Sequence, residues 1–302
     1  MLYSKISLIA LSACISATIA TPTPNGAPVT LSRKSLGRRN APNINLKLSK
    51  RGEPNTGDDF DPDEEPHPNT LEKVETAIKD AIELTSYVKL FIDTDTDVYP
   101  HYFAEEDRAE ITRIYTSINN NDAGNDYLNN ILIQKQDTEN KCGDGRTLAY
   151  SGDYNTDTPF IVLCPNAFKK KAVTALAGKD PQDPDAKDFY AACKEDGGDI
   201  DQNVSYFMNT LGMTLLHEYM HMDKMIQASF GSIVDDPNGN PGYGPVNVYD
   251  NLAKDQARIN ADSYAYYASQ TLWTTLCGHE FQAPRPGTDD NDPDCGGNAC
   301  QP

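Results

Sequence analysis

The stretch 214-TLLHEYMHMDKM-225 decides how this chain is read. It holds two of the five histidines in 302 residues. His217 and His221 stand four apart, with Glu218 directly after the first. Residues four apart lie one above the other on a helix, so two imidazoles can face one ion. Glu218 projects beside them, close enough to touch a water at that ion without ligating it. This is the physical content of an H-E-x-x-H motif. Zinc lowers the pKa of its water to about 7, and the carboxylate takes the proton. Phe207, Met208, Leu211, Leu215, Leu216, Met220 and Met225 repeat at helical spacing around it, which predicts one long helix from Val204 to about Ser229. The plain alternative is an amphipathic helix with two surface histidines. Apolar residues on both sides of the motif disfavour it, because neutral imidazoles buried there need partners.

A catalytic zinc takes three protein ligands and keeps a fourth position open. The downstream candidates are Asp223, Asp235, Asp236, Asp250, Asp262, His279 and Glu280. Two stretches rank them. In 231-GSIVDDPNGNPGYGP-245 a Gly/Pro/Asn-rich loop follows the helix, and an early aspartate can fold back under it. Tyr243, near the loop's end, can bring a phenol to the metal. In 255-DQARINADSYAYYASQTLW-273 the spacing is helical, with Ala261, Tyr264, Ala265, Ala268 and Leu272 on the core face. Asp262 sits among them and needs a partner. Zinc, the other ring nitrogen of a ligand histidine, or a backbone amide can supply one.

The first twenty residues carry one charge, Lys5, ahead of a short apolar run, and end on the small-x-small pair Thr18 and Ala20. They are expected to be a signal peptide (1–20), because the run is too short and too interrupted to span a bilayer. Residues 21–51 hold seven basic residues and no acidic ones, and end at Lys50-Arg51. They are expected to be a propeptide cut at that dibasic site. Losing both segments takes the 26 basic residues to 18 against 45 acidic, a net charge of −27. Such acidity argues against nucleic acid or membrane as partners. It fits a secreted, extracellular monomer whose partner is a protein or peptide substrate. Once Cys14 is lost, Cys142, Cys164, Cys193, Cys277, Cys295 and Cys300 remain, an even set without C-x-x-C spacing, which predicts disulfides. Asn203-Val204-Ser205 is a glycosylation sequon.

Residues 52–69 are acidic and proline-rich and read as a disordered linker. Residues 70–285 read as one domain, and 286–302 as an acidic, cysteine-containing tail. Helices are expected over 69–91 and 104–120. RTLAYS and PFIVLCP read as two strands, with Cys142 just before the first and Cys164 at the end of the second, so these two are expected to pair. DYLNNILIQKQD fits helix or strand, and 179–202 reads as a surface insertion. Helices, a small sheet, then helices again make an α+β pattern.

HEYMH (217–221), YGP (243–245) and NADSYAYYA (260–268), with LAYS (148–151) and IVLCP (161–165) upstream, together resemble the deuterolysin-like zinc peptidases, the aspzincins. The resemblance is nearest to the branch grouped with fungal lysine-specific metallo-endopeptidases and covers about residues 70–285. It implies a zincin-like α+β fold, mostly helical with a small sheet, and secreted endopeptidase activity with one zinc ion. It makes Glu218 the general base and Tyr243 a donor to the oxyanion. It puts the third ligand on the aspartate of a G-T-x-D-x-x-Y-G motif. Here Asn240 stands three residues before Tyr243. A loop insertion accommodates this, with Asp235 or Asp236 as the ligand. Asp235 is preferred because Ile233-Val234 can pin it under the helix. Asp262 stays as a second candidate, as a ligand or behind one. The altered spacing also keeps open a secreted zinc-binding protein without peptidase activity, a metal scavenger or surface antigen on a zincin scaffold. An intact Glu218 speaks for the enzyme.

Overall fold

Helix α1 (Thr70–Phe91) turns Val74, Ala77, Ile78, Ala81, Ile82, Leu84 and Val88 inward, the three-and-four spacing of an apolar stripe. It packs on α3 (Arg108–Asn119), α4 (Leu211–Met220) and α7 (Ala261–Cys277). These contacts come from a computed structural model, which describes residues 54–60, 70–119, 126–153, 156–173, 200 and 202–292. The expected signal peptide (1–20) and propeptide (21–51) lie outside the described residues. So do Cys193, Cys295, Cys300 and most of the 179–202 insertion.

Gly212 sets the α1–α4 distance. A Cβ there would fall 2.4 Å from Asp80 Cβ and 3.1 Å from the Ala77 carbonyl. Glycine inside a helix costs about 1 kcal/mol against alanine, and the close approach it permits offsets that. On the other side, α7 buries every residue from Ala261 to Trp273. Its Tyr264 and Tyr267 join Tyr115 and the Tyr99, Tyr102 and Phe103 rings at and just after α2 (Tyr99–Tyr102), largely in edge-on or tilted contacts. Buried phenols need partners, and Tyr115 donates to the Tyr264 carbonyl at 2.6 Å and Tyr102 to Gln270 Oε1 at 2.8 Å.

The sheet is mixed, in the order β1-β2-β4-β3. β1 (Asn55–Thr56), β2 (Leu132–Gln134) and β4 (Phe160–Leu163) run parallel, and β3 (Ala149–Gly152) closes the edge antiparallel to β4. Cys142 and Cys164 form the expected disulfide across the base of the β3–β4 pair. Cys277 is disulfide-bonded as well. The described chain is thus α+β, mainly helical with a small sheet. None of its helices is long and apolar enough to cross a membrane.

Four expectations change. The 52–69 segment is not wholly a linker, since residues 54–60 carry β1. Phe60 is buried against Phe168, and the Asp59 carboxylate accepts from the backbone of Lys135 at 2.6 Å and of Gln136 at 2.8 Å. Burying one phenylalanine is worth about 2–3 kcal/mol, and its partners lie far along the chain, where composition cannot see them. The domain also continues beyond 285. Asp289 is buried and accepts from the exposed Arg285, and Asp292 is buried in an ion pair with Lys170. The long helix over 204–229 does not form. Thr210 adopts an extended conformation and its hydroxyl accepts from Met213 N at 3.1 Å, so α4 begins only at Leu211. Val204 is buried in non-helical chain and Met208 in a single 3-10 turn (Tyr206–Met208), so burial rather than a continuous α-helix produced the apolar spacing. Finally, the sequon asparagine, Asn203, is not an exposed acceptor here: it is 8% exposed and its amide donates to the Ala283 carbonyl at 2.6 Å.

Candidate metal centre

Helix α4 is ten residues long and wholly buried. The Thr210 cap fixes its start and contributes about 1 kcal/mol. His217 lies in the last turn and His221 is the residue that ends it. Their Nε2 atoms sit 3.2 Å apart.

The chain then makes a short helix, α5 (Asp223–Ile226), and a loop, and Val234 pairs with the backbone just before α7. Val234 N donates to the Ile259 carbonyl at 2.8 Å and Ala261 N to the Val234 carbonyl at 3.0 Å. This bridge delivers Asp235, whose Oδ1 lies 2.9 Å from each of the two Nε2 atoms. Three ligand atoms of one tetrahedral ion with bonds of about 2 Å stand roughly 3.3 Å apart. The observed triangle is slightly tighter, and the group His217, His221 and Asp235 can hold a metal ion.

The remaining ring nitrogens are committed. His217 Nδ1 meets Asp262 Oδ1 at 2.8 Å and His221 Nδ1 meets the Ile233 carbonyl at 2.9 Å. Both contacts require Nδ1–H donors, which leaves both Nε2 lone pairs for a shared cation. Asp262 stands in the first turn of α7, and its Oδ2 accepts from Gly244 N at 2.7 Å. One carboxylate therefore orients a ligand histidine and pins the turn that carries Tyr243.

Asn260 holds the other end of the loop. Its Oδ1 caps α7 through Ser263 N at 2.7 Å, while its amide donates to the Asp235 carbonyl at 2.7 Å and the Gly242 carbonyl at 3.2 Å. Gly242 fits only because it has no side chain. A Cβ there would lie 1.9 Å from the Asp235 carbonyl oxygen and 2.1 Å from Asn260 Nδ2.

The structure thus brings Asp235 to the two histidines and leaves the other candidates elsewhere. Asp262 lies behind His217 rather than beside Nε2, because α7 approaches the Nδ1 edge of the ring. Asp236 points back into its own loop and accepts from Gly242 N at 3.2 Å. Asp223 accepts from Ser232 at 2.8 Å, and His279 contacts the Glu280 carbonyl. The Tyr243 ring stacks over His217, centroids 6.1 Å apart and 16° from parallel.

Charge explains the arrangement. Burial lowers the basicity of His217, but Asp235 and Asp262 outweigh it and hold the imidazole well above its ordinary range. His221 is likewise disfavoured by burial and raised by Asp235. Burial raises the Asp235 carboxyl, and the two imidazoles pull it far below the usual carboxylate range. The carboxylates therefore demand positive charge between them, from a proton or a metal ion, and the two compete. Burial, then Asp235, keeps Tyr243 a neutral phenol. Burial also raises Glu218, against the two imidazoles and Ser151.

Glu218 is 1% exposed. Its Oε2 accepts from the Ser151 hydroxyl on β3, and its Oε1 has no hydrogen-bond partner. Leaving a buried polar atom unpaired costs on the order of 1–3 kcal/mol, and Glu218 Oε1 is one of eight such side-chain atoms among the described residues. Ser151 and Asn260 carried no assigned role in the sequence reading. Their signals were faint: a hydroxyl in an apolar strand, and an asparagine one residue ahead of a helix.

Set against models of known protein families and against curated proteins, the chain matches none.

Proposed function

We propose that the chain is a secreted zinc-dependent endopeptidase with a zincin-like fold, of the aspzincin kind. The observation that carries the reading is the pairing of a two-histidine, one-aspartate group, centred on the buried His217, with the buried Glu218 of the same helix, whose Oε1 has no hydrogen-bond partner. An all-nitrogen-and-oxygen ligand set, with both Nδ1 atoms held from behind and both Nε2 atoms converging on Asp235 Oδ1, suits zinc. A zinc ion there would polarise a peptide carbonyl and acidify a nearby water. Glu218 Oε1 accepts the proton as that water's oxygen bonds to the carbonyl carbon. It then passes the proton to the amine nitrogen as the C–N bond breaks. Asp262 and the Ile233 carbonyl hold the imidazoles in register, and Tyr243, stacked over His217, is the donor to the oxyanion. The apolar first twenty residues and the Lys50-Arg51 pair support secretion and processing.

The test is casein cleavage by the processed chain. Cleavage is expected to stop on chelation and return with zinc. Glu218→Ala should bind zinc normally and lose at least about a thousandfold in kcat/KM, as expected when a general base is removed. Zinc retained by a wild-type chain that cleaves nothing would instead favour the scavenger or antigen reading, which the shifted Asp-to-Tyr spacing supports.

A further inference from the structure

We propose that Ser151 is a positioning residue for Glu218, fixing which of its two carboxylate oxygens does the proton transfer. The inference rests on the peptidase reading. A buried glutamate on a helix can rotate about its last bond and exchange its oxygens. Here they are not equivalent. Oε2 is held by the Ser151 hydroxyl, and Oε1 is left bare. Ser151 is itself 3% exposed.

The serine's own placement is rigid. It lies inside the β3–β4 pairing, opposite Ile161. Cys164 N donates to the Leu148 carbonyl at 2.7 Å, and the Cys142–Cys164 disulfide closes the hairpin base. Strand alternation sends the preceding Tyr150 to the other face, where it packs with Val162 and Cys164 and donates to Asp137 at 2.8 Å. Ser151 then faces α4. An alanine would satisfy the packing there, and a hydroxyl is needed only to meet a polar atom.

The experiment compares the zinc-loaded processed chain with Ser151→Ala and Ser151→Thr on one peptide substrate. It records kcat, KM and zinc content, and runs a thermal double-mutant cycle of Ser151→Ala with Glu218→Ala on metal-free protein. We expect Ser151→Ala to lower kcat by about ten- to a hundredfold, with KM within about threefold and zinc still stoichiometric. Ser151→Thr, which keeps the hydroxyl, should recover most of the rate. In the cycle the two substitutions should be non-additive, because without Glu218 the hydroxyl has no carboxylate to hold. A Ser151→Ala kcat within about twofold of wild type overturns the proposal, as does a loss of rate that tracks lost zinc. If wild type itself cleaves nothing, the peptidase reading has failed. The metal-free cycle then judges the Ser151–Glu218 contact alone, and additive shifts overturn it.

Discussion

Asp262 Oδ1 lies 2.8 Å from His217 Nδ1, and the same carboxylate takes Gly244 N on its other oxygen. A residue on α7 therefore governs a ligand on α4. Removing such a partner commonly weakens metal binding by about ten- to a hundredfold. Asp262→Ala should do so, measured by competition with a chromogenic chelator. Asp262→Asn should fall between, since its amide keeps one contact and sets a donor against the Gly244 N–H at the other. An unchanged affinity in Asp262→Ala would remove Asp262 from the site.

Gly242→Ala forces a methyl into the Asp235 carbonyl and the Asn260 amide. Neither can yield without unseating the loop that carries Asp235. The substitution should cost about 2–3 kcal/mol in metal-free stability and reduce zinc binding further. Urea denaturation and zinc titration read the two separately. Wild-type zinc affinity in a stable Gly242→Ala protein would show that the loop is not held as described.

Zinc uptake near pH 7 should release protons. With carboxylates on both ring nitrogens, His217 stays protonated in the metal-free site well above the ordinary imidazole pKa. The sign follows. Its ion-pair stabilisation is complete below the unfolded pKa of about 6.5 and is lost as pH rises through the higher folded value. At neutral pH a proton must leave before Nε2 can ligate. Calorimetry in buffers of differing ionisation enthalpy should give at least about one proton released per zinc. A buffer-independent enthalpy would contradict the charge balance drawn here.

Asp80 supplies a separate pH dependence. Burial, opposed by the Val173 N–H and aided by Glu83, raises its carboxyl to about 7. The folded state thus holds a proton that the unfolded chain releases near pH 4. The contribution to stability is complete below that pH and declines as pH rises through 7, by about 1.4 kcal/mol per unit in between. Between pH 5 and 8, wild type should lose roughly 2–3 kcal/mol more than Asp80→Asn. Urea unfolding of the two metal-free proteins at those pH values checks it, and parallel losses would refute it.

The readable parts of this chain were local. His217, Glu218 and His221 follow from spacing on one helical turn, and the β3–β4 disulfide from two cysteines flanking two strands. Asp235 was reached through the apolar Ile233-Val234 pair. In the structure Val234 makes the bridge and the Ile233 carbonyl takes His221 Nδ1. What escaped was decided by distant partners. The Thr210 cap cut a helix that apolar spacing extended, and Phe60 folded a segment whose composition looked disordered. Asp262 looked like a ligand because a buried carboxylate must have a partner. Which edge of which histidine it meets depends on how α7 lies against α4, and no local pattern records that.

The early end of α4 has an electrostatic consequence. Met222 leaves helical conformation at ψ 76°, so the helix stops where its two histidines stand. Aligned peptide dipoles gather roughly half a negative charge at a helix's C-terminal end. A cation between His217 and His221 sits beside that pole and gains about 0.3–1 kcal/mol from it. One more turn of helix would carry the pole away from the ligands. By stopping short, the backbone itself leans toward whichever positive charge, proton or metal, fills the site.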